Sequence, residues 1–263
     1  MTKPFINRVF SRFGYAIVKT VEQSKQATVK DSSSSPQTKA MCRSLLLHYQ
    51  QLLKEKTPLP KLADVGFRVY SQCDEDGIIL FLFSVAGMTN RVFVEVGAGN
   101  GVENNCANLA INLGWHGLFM DGDNENAALG TEFYNLHPDT RVFPPQFLLA
   151  KVDRDNINDL IRQEGFEGEI DFLSIDIDGM DYWIWQAIEC VNPRIVVVEA
   201  NGKFGMGALQ YLMTQIGYII SQPILIIMEL LCQRCFTHAR HSCNYNIVHC
   251  INISRSLSSS SRE

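Results

Sequence analysis

The sequence predicts an α/β protein: a Rossmann-like, doubly wound, mostly parallel sheet with an N-terminal helical extension. Three observations point there. From about residue 70 strand-like and helix-like segments alternate. The strand-like ones are short and apolar and break at glycine or at acids. Acids with chemical potential recur at those breaks, where the carboxyl ends of parallel strands hold ligands.

Each element has its own reason. Leu45, Leu46, Tyr49, Leu52 and Leu53 fall at helical spacing, and TPLP stops that run. DEDGIILFLFSVAG reads as a helix ending at Gly87, and RVFVEVG as a buried strand that breaks at glycine. NNCANLAINLG is a helix with Gly114 as its stop, and HGLFMDGD a second strand ending in acids. FLLAKVD gives a third strand, NINDLIRQEG a helix, IDFLSIDID a fourth strand, DYWIWQAIECV a helix and RIVVVEAN a fifth strand. The chain divides into a basic head and Ser-rich linker (1–37), a helical lead-in (38–90), the Rossmann-like core (91–205) and an atypical tail (206–263).

Bulk properties limit the function. A chain of 263 residues, 46% hydrophobic, can bury a full core. A net charge of -5 leaves no basic surplus to displace phosphate counterions, which argues against bulk nucleic-acid binding and for a small-molecule partner. Eight cysteines in a chain that needs no staples suggest reduced thiols and a cytoplasmic protein. The longest apolar run, PILIIMELLC at 223–232, is too short to span a bilayer and carries Glu229. Residues 1–20 carry Lys3, Arg8, Arg12 and Lys19 without an acid, with Phe5, Val9, Phe10, Phe13 and Ile17 able to share a helical face. Such a head could be a transit peptide, touch a membrane surface weakly, or dock as a helix on the protein itself. SSSSP at 32–36 reads as a flexible linker behind it.

FVEVGAGNGVEN at 93–104 carries the sharpest signal. Gly97, Gly99 and Gly101 permit a tight strand-to-helix turn that lets a ligand approach the backbone. A dinucleotide fingerprint places its third glycine one residue later, where Val102 stands, and Glu95 suits a pyrophosphate badly. A carboxylate there suits the cationic end of S-adenosyl-L-methionine; a purely structural turn is the alternative. Asp121, ending the second strand, could accept both ribose hydroxyls or be a solvated loop acid beside Asp123. Asp153 could accept from the adenine amino group, or stand solvated while Asn156 caps the next helix. In SIDIDGMDYW, Asp176 and Asp178 share one face and Asp181 could cap the following helix. Asp176, Glu199 and Asn201 would offer three hard oxygen ligands, a set that fits Mg2+ and could lower the pKa of an acceptor hydroxyl; a carboxylate network without metal is the alternative.

YSQCDEDGII, FVEVGAGNGVENN, GWHGLFMDGD, VDRDNINDL, IDFLSIDIDGMDYWIW and VVVEANGKFG, in that order, resemble the FkbM-type methyltransferase family over roughly residues 68–205. The resemblance implies a class I S-adenosylmethionine-dependent methyltransferase that O-methylates a sugar or another hydroxylated small molecule. It also implies that Glu95, Gly97, Gly99 and Gly101 form the cofactor loop, Asp121 the ribose contact and Asp153 the adenine edge. Asp176 and Asp178 would face the transferred methyl as catalytic candidates, and Gln72, Glu75 and Asp76 would lie in a lead-in helix that can fold over the cofactor. An inactive, ligand-binding remnant of the same fold is the second expectation.

After Gly205 the sequence departs from that family, which continues with words of the YDP and YYGAS kind and a closing antiparallel strand pair. Read one nucleotide earlier, Met213 and Thr214 together force Asp, and Met228 with Glu229 forces Gly, while degenerate neighbouring codons permit PYDPNW and YYGAS. Residues from about 207 to 240 are therefore expected to be translated out of frame. On that reading Cys232, Cys235, His238, His241 and Cys243, which otherwise resemble a cramped zinc site, carry no selected role.

Overall fold

A computed structural model describes residues 35–177, 179–200 and 225–230, the last six and residues 199–200 by backbone alone. The first helix, α1 (Pro36–Lys54), starts with proline at its first position and Ser35 as its cap, whose hydroxyl accepts from the Thr38 amide at 3.1 Å. The end of the expected linker is thus a helix start. A short 3-10 turn (Leu62–Asp64) leads to α2 (Glu75–Ala86), which stops at Gly87 as expected.

The core then alternates through β1 (Val92–Val96), α3 (Ala107–Leu113), β2 (His116–Asp121), α4 (Asn124–Leu136), β3 (Gln146–Leu149), α5 (Ile157–Gln163), β4 (Gly168–Ile175), α6 (Asp181–Ala187), β5 (Val191–Ala200) and β6 (Leu225–Leu230). The strands form one sheet in the order β3-β2-β1-β4-β5-β6, and all five pairings among the described residues are parallel. Besides the 3-10 turn, one helix and one strand escape the sequence reading. Helix α4 is capped by Asp123, which accepts from the Asn126 amide at 3.0 Å. Strand β6 comes from the apolar run in the atypical tail and pairs with β5, Val198 opposite Met228.

Side chains alternate across the strands and build two cores. Phe93, Phe119, Phe172 and Val197 pack with α1, α2, α3 and α4, whereas Val94, Met120, Leu173 and Val198 pack with Ile157 and Ile161 of α5 and Ile184 of α6. The helical extension belongs to the first core through Cys42 and Tyr49, and Arg43 Nε donates to the Asn112 carbonyl at the end of α3 at 3.3 Å. At the amino end of the sheet, Asp171 is 1% exposed yet fully used. It accepts from the amides of Thr89, Asn90 and Arg91 and from Arg194 Nε at 3.1 Å, tying the starts of β1, β4 and β5 together.

β1 and β4 are hydrogen-bonded neighbours, but the chain leaves them toward opposite cores: β1 through α3, β4 through α6. That divergence opens a crevice at their carboxyl ends, the ligand position of open α/β sheets.

Candidate functional site

The glycine turn fills one wall of this crevice. Gly97, Gly99 and Gly101 take φ values of 83°, 55° and 74°. At Gly97 a Cβ would stand 1.7 Å from the Asp176 carbonyl oxygen, so only glycine lets the turn pass the end of β4. At Gly99 nothing lies within 4 Å of a Cβ position, so the middle of the turn borders open space. Gly101 packs under Phe147 and Tyr134, and the Tyr134 hydroxyl donates to its carbonyl.

Glu95 does not face that space. It is 2% exposed, with Oε1 accepting from the Asn105 amide and Oε2 from the Cys106 amide, both at 3.0 Å. Burial pushes its carboxyl up to about 7, opposed in part by those bonds and by contacts with the Cys106 thiol and Ser174. A carboxylate on the fourth residue of a buried strand is here turned into the protein, where it fastens the chain beyond the turn. Asn104, which sequence reasoning missed, completes the fastening. Its Oδ1 accepts from the amides of Cys106 and Ala107 at 3.1 and 2.8 Å, and its Nδ2 donates to the Ala98 carbonyl. The signal was present in the paired asparagines ahead of a helix, a capping composition.

Asp121 stands at the end of β2, beside the turn and partly exposed. Its Oδ2 accepts from the Gly99 amide and its Oδ1 from the Asp123 amide, each at 2.8 Å, with a weaker contact from Asn126 Nδ2 at 3.3 Å. Oδ2 keeps a lone pair beyond its backbone bond, while the second one on Oδ1 meets Asn126. Asp153, after β3, is exposed, and its Oδ1 accepts from the Asp155 and Asn156 amides at 2.9 Å, while the Asp153 amide donates to Asn156 Oδ1 at 2.8 Å. Asn156 is the cap residue of α5 without a side-chain bond to it, and the Ile157 amide donates to the Asp153 carbonyl.

Across the crevice, Asp176 is exposed at the end of β4, its amide bonded to the Val96 carbonyl at 2.9 Å. Asp181, expected as the cap of the next helix, is instead its first residue, behind Met180. It is 4% exposed, and its carboxylate accepts from the Ile177 and Gly179 amides, bracing the loop between β4 and α6. Asp178 and Asn201 lie outside the described residues, as do the head, the cysteine and histidine cluster at 232–243 and the place of the expected closing strand pair. Glu199 is placed by its backbone in β5, opposite Glu229 of β6. Among the described residues no three acids, histidines or cysteines stand close enough together to hold a metal, and no helix is long and apolar enough to cross a membrane.

The lead-in folds beside the same turn. Asp76 is 1% exposed, and its Oδ2 accepts from the amides of Val69, Tyr70 and Ser71 and from the Ser71 hydroxyl, while its Oδ1 is buried without a partner. Glu75 accepts from the Cys73 amide, and Gln72 is exposed. Arg68 pairs with Glu103 at 3.6 Å, joining this strap to the chain after the glycine turn.

No protein-family model matches the chain, and no curated protein matches it. Solved structures give faint likenesses. An S-adenosylmethionine-dependent methyltransferase from Clostridium acetobutylicum ATCC 824 is 14% identical over 57% of this chain and 54% of that one, with a TM-score of 0.31. An O-methyltransferase from Bacillus cereus, solved in complex with SAH, is 12% identical over 65% of this chain and 60% of that one, with a TM-score of 0.32. The chain spans about half the length of the first. Scores this low carry no argument, so a functional reading rests on the crevice itself.

Proposed function

We propose that the protein is an S-adenosylmethionine-dependent methyltransferase acting on a hydroxyl of a sugar or another hydroxylated small molecule. The observation that carries the reading is the state of the amides behind the glycine turn. Those of Asn105, Cys106 and Ala107 are already taken by Glu95 and Asn104. In a dinucleotide fold that helix start is the seat of the pyrophosphate. Here it has no amide to give at those positions and a buried acid in its place. What remains is an open turn at Gly99 with an acid at the next strand end, which suits a nucleoside carrying no phosphate. S-Adenosylmethionine is such a molecule.

In this reading Asp121 accepts the ribose hydroxyls, the glycine turn borders the sulfonium-bearing chain, and Asp153 offers its second oxygen to the adenine amino group. Asp176, with Asp178 as its sequence neighbour, faces the methyl and takes part in deprotonating the acceptor hydroxyl as its oxygen attacks the sulfonium methyl in line. The methyl–sulfur bond breaks as the carbon–oxygen bond forms, leaving S-adenosylhomocysteine.

Isothermal titration tests this. The expected result is binding of S-adenosylhomocysteine, its loss in Asp121→Ala, and no comparable binding of NAD. Equal binding of NAD, or no binding of S-adenosylhomocysteine by a folded protein, would overturn it.

A further inference from the structure

The wall opposite the glycine turn holds a feature that the cofactor reading leaves unused. Trp183, in the first turn of α6, is 46% exposed, and the Arg154 guanidinium lies 5.4 Å from the centre of its ring. Tyr182 meets the Trp183 ring edge to face, at 5.1 Å between centroids, and Met180 is 47% exposed beside them.

The location makes the pair informative. Arg154 directly follows Asp153 beyond β3, and Trp183 follows β4; in the sheet, β2 and β1 stand between those strands. The helices that carry the two residues onward, α5 and α6, share one core through Ile157 and Ile184. A contact between Arg154 and Trp183 therefore runs past the carboxyl ends of β2 and β1 on the side away from α3 and the glycine turn. Asp121, the ribose candidate, closes β2. A nucleoside whose ribose rests on Asp121 with its sulfonium chain along the turn has its base directed toward the ends of β2 and β3, against this wall.

The chemistry fits a flat, uncharged heteroaromatic ring. A guanidinium stacks on an aromatic face through one side of its plane and can stack on a second ring through the other. Aromatic and guanidinium surfaces hold bases by stacking, with less dependence on base identity than hydrogen bonding has. Resting on the cofactor reading above, we infer that Arg154 and Trp183 form the shelf on which the adenine lies, with Asp153 at the edge of the base and Trp183 backing the guanidinium.

Binding of S-adenosylhomocysteine and of free adenosine to the full chain tests this, followed by titration and by tryptophan fluorescence in the wild type, Trp183→Ala, Trp183→Phe and Arg154→Ala. Both altered side chains are exposed, so the fold should survive, and circular dichroism verifies that it does. The expected result is a loss of roughly ten-fold or more for both ligands in Trp183→Ala and Arg154→Ala, with Trp183→Phe keeping most of the affinity. If the wild type binds S-adenosylhomocysteine while both alanine variants bind it within two-fold of wild type, the shelf is refuted and the cofactor reading stands. A pair that changes only the KM for an acceptor belongs to the acceptor pocket and refutes it equally. A folded wild type that binds neither ligand removes the cofactor reading and the shelf together.

Discussion

Single residues decide the shape of the crevice. Gly97→Ala drives a methyl into the Asp176 carbonyl and forces a β-carbon onto positive φ. A loss of stability on the order of 4 kcal/mol or more is expected in urea denaturation. Gly99→Ala meets no neighbour and carries only the left-handed backbone penalty of about 1 kcal/mol. It should unfold little while weakening cofactor binding. Glu95 makes a pH prediction. Its folded pKa of about 7 lies above the ordinary 4.5, so the native chain holds a proton that the unfolded chain releases between those values. That contribution, of order 3 kcal/mol, is complete below the unfolded pKa and is lost as pH rises through the folded one. Stability of the wild type should therefore fall from about pH 5 to 7.5, and Glu95→Gln should flatten that part of the curve at a lower overall stability. An unchanged slope would show that Glu95 is ionised throughout. The direction in which Glu95 points was not legible in the sequence, because strand alternation tells which residues share a face and not which face meets a ligand.

Among the elements, the strands and helices of the core were legible because each is punctuated by its own chemistry. Gly87 and Gly114 end α2 and α3 where expected. Helix α3 starts only at Ala107, since Glu95 and Asn104 draw the preceding amides into side-chain bonds. Helix α4 was missed for want of a clear apolar stripe: its buried positions include Gly130 and Ala127, which contribute space more than hydrophobicity. The bolt at the opposite end of the sheet was equally hidden, because an aspartate inside an apolar strand does not announce three amides from a distant loop. Asp171→Ala leaves those amides and Arg194 without their shared acceptor. Its cost should be about 3 to 5 kcal/mol, measured by chemical denaturation, with little effect on ligand affinity because the crevice lies at the other edge.

For the whole molecule, the expected doubly wound sheet is found, and the sixth strand extends it beyond what the sequence suggested. Leu225–Leu230 lies inside the segment that the sequence reading expects to be translated out of frame, and LIIMEL is apolar enough to add a parallel strand to β5. That pairing shows how little strand formation asks of a sequence compared with what a binding pocket asks. A ligand that binds only the folded chain should raise its unfolding midpoint by mass action. S-Adenosylhomocysteine at about a hundred times its Kd should add roughly 2.7 kcal/mol, and Asp121→Ala should abolish the shift.

The close passage of Gly97 against the Asp176 carbonyl bears on how such a protein could be recombined. The amide of Asp176 is bonded to the Val96 carbonyl, so the exits of β1 and β4 are joined by both a hydrogen bond and steric contact. A graft that replaced one exit with a foreign loop would inherit a mismatch at the other. Exchangeable parts begin only past Ile177 on one side and past Gly101 on the other. A chimera with a junction between Val96 and Gly97 would have to import Asp176 and its backbone with it.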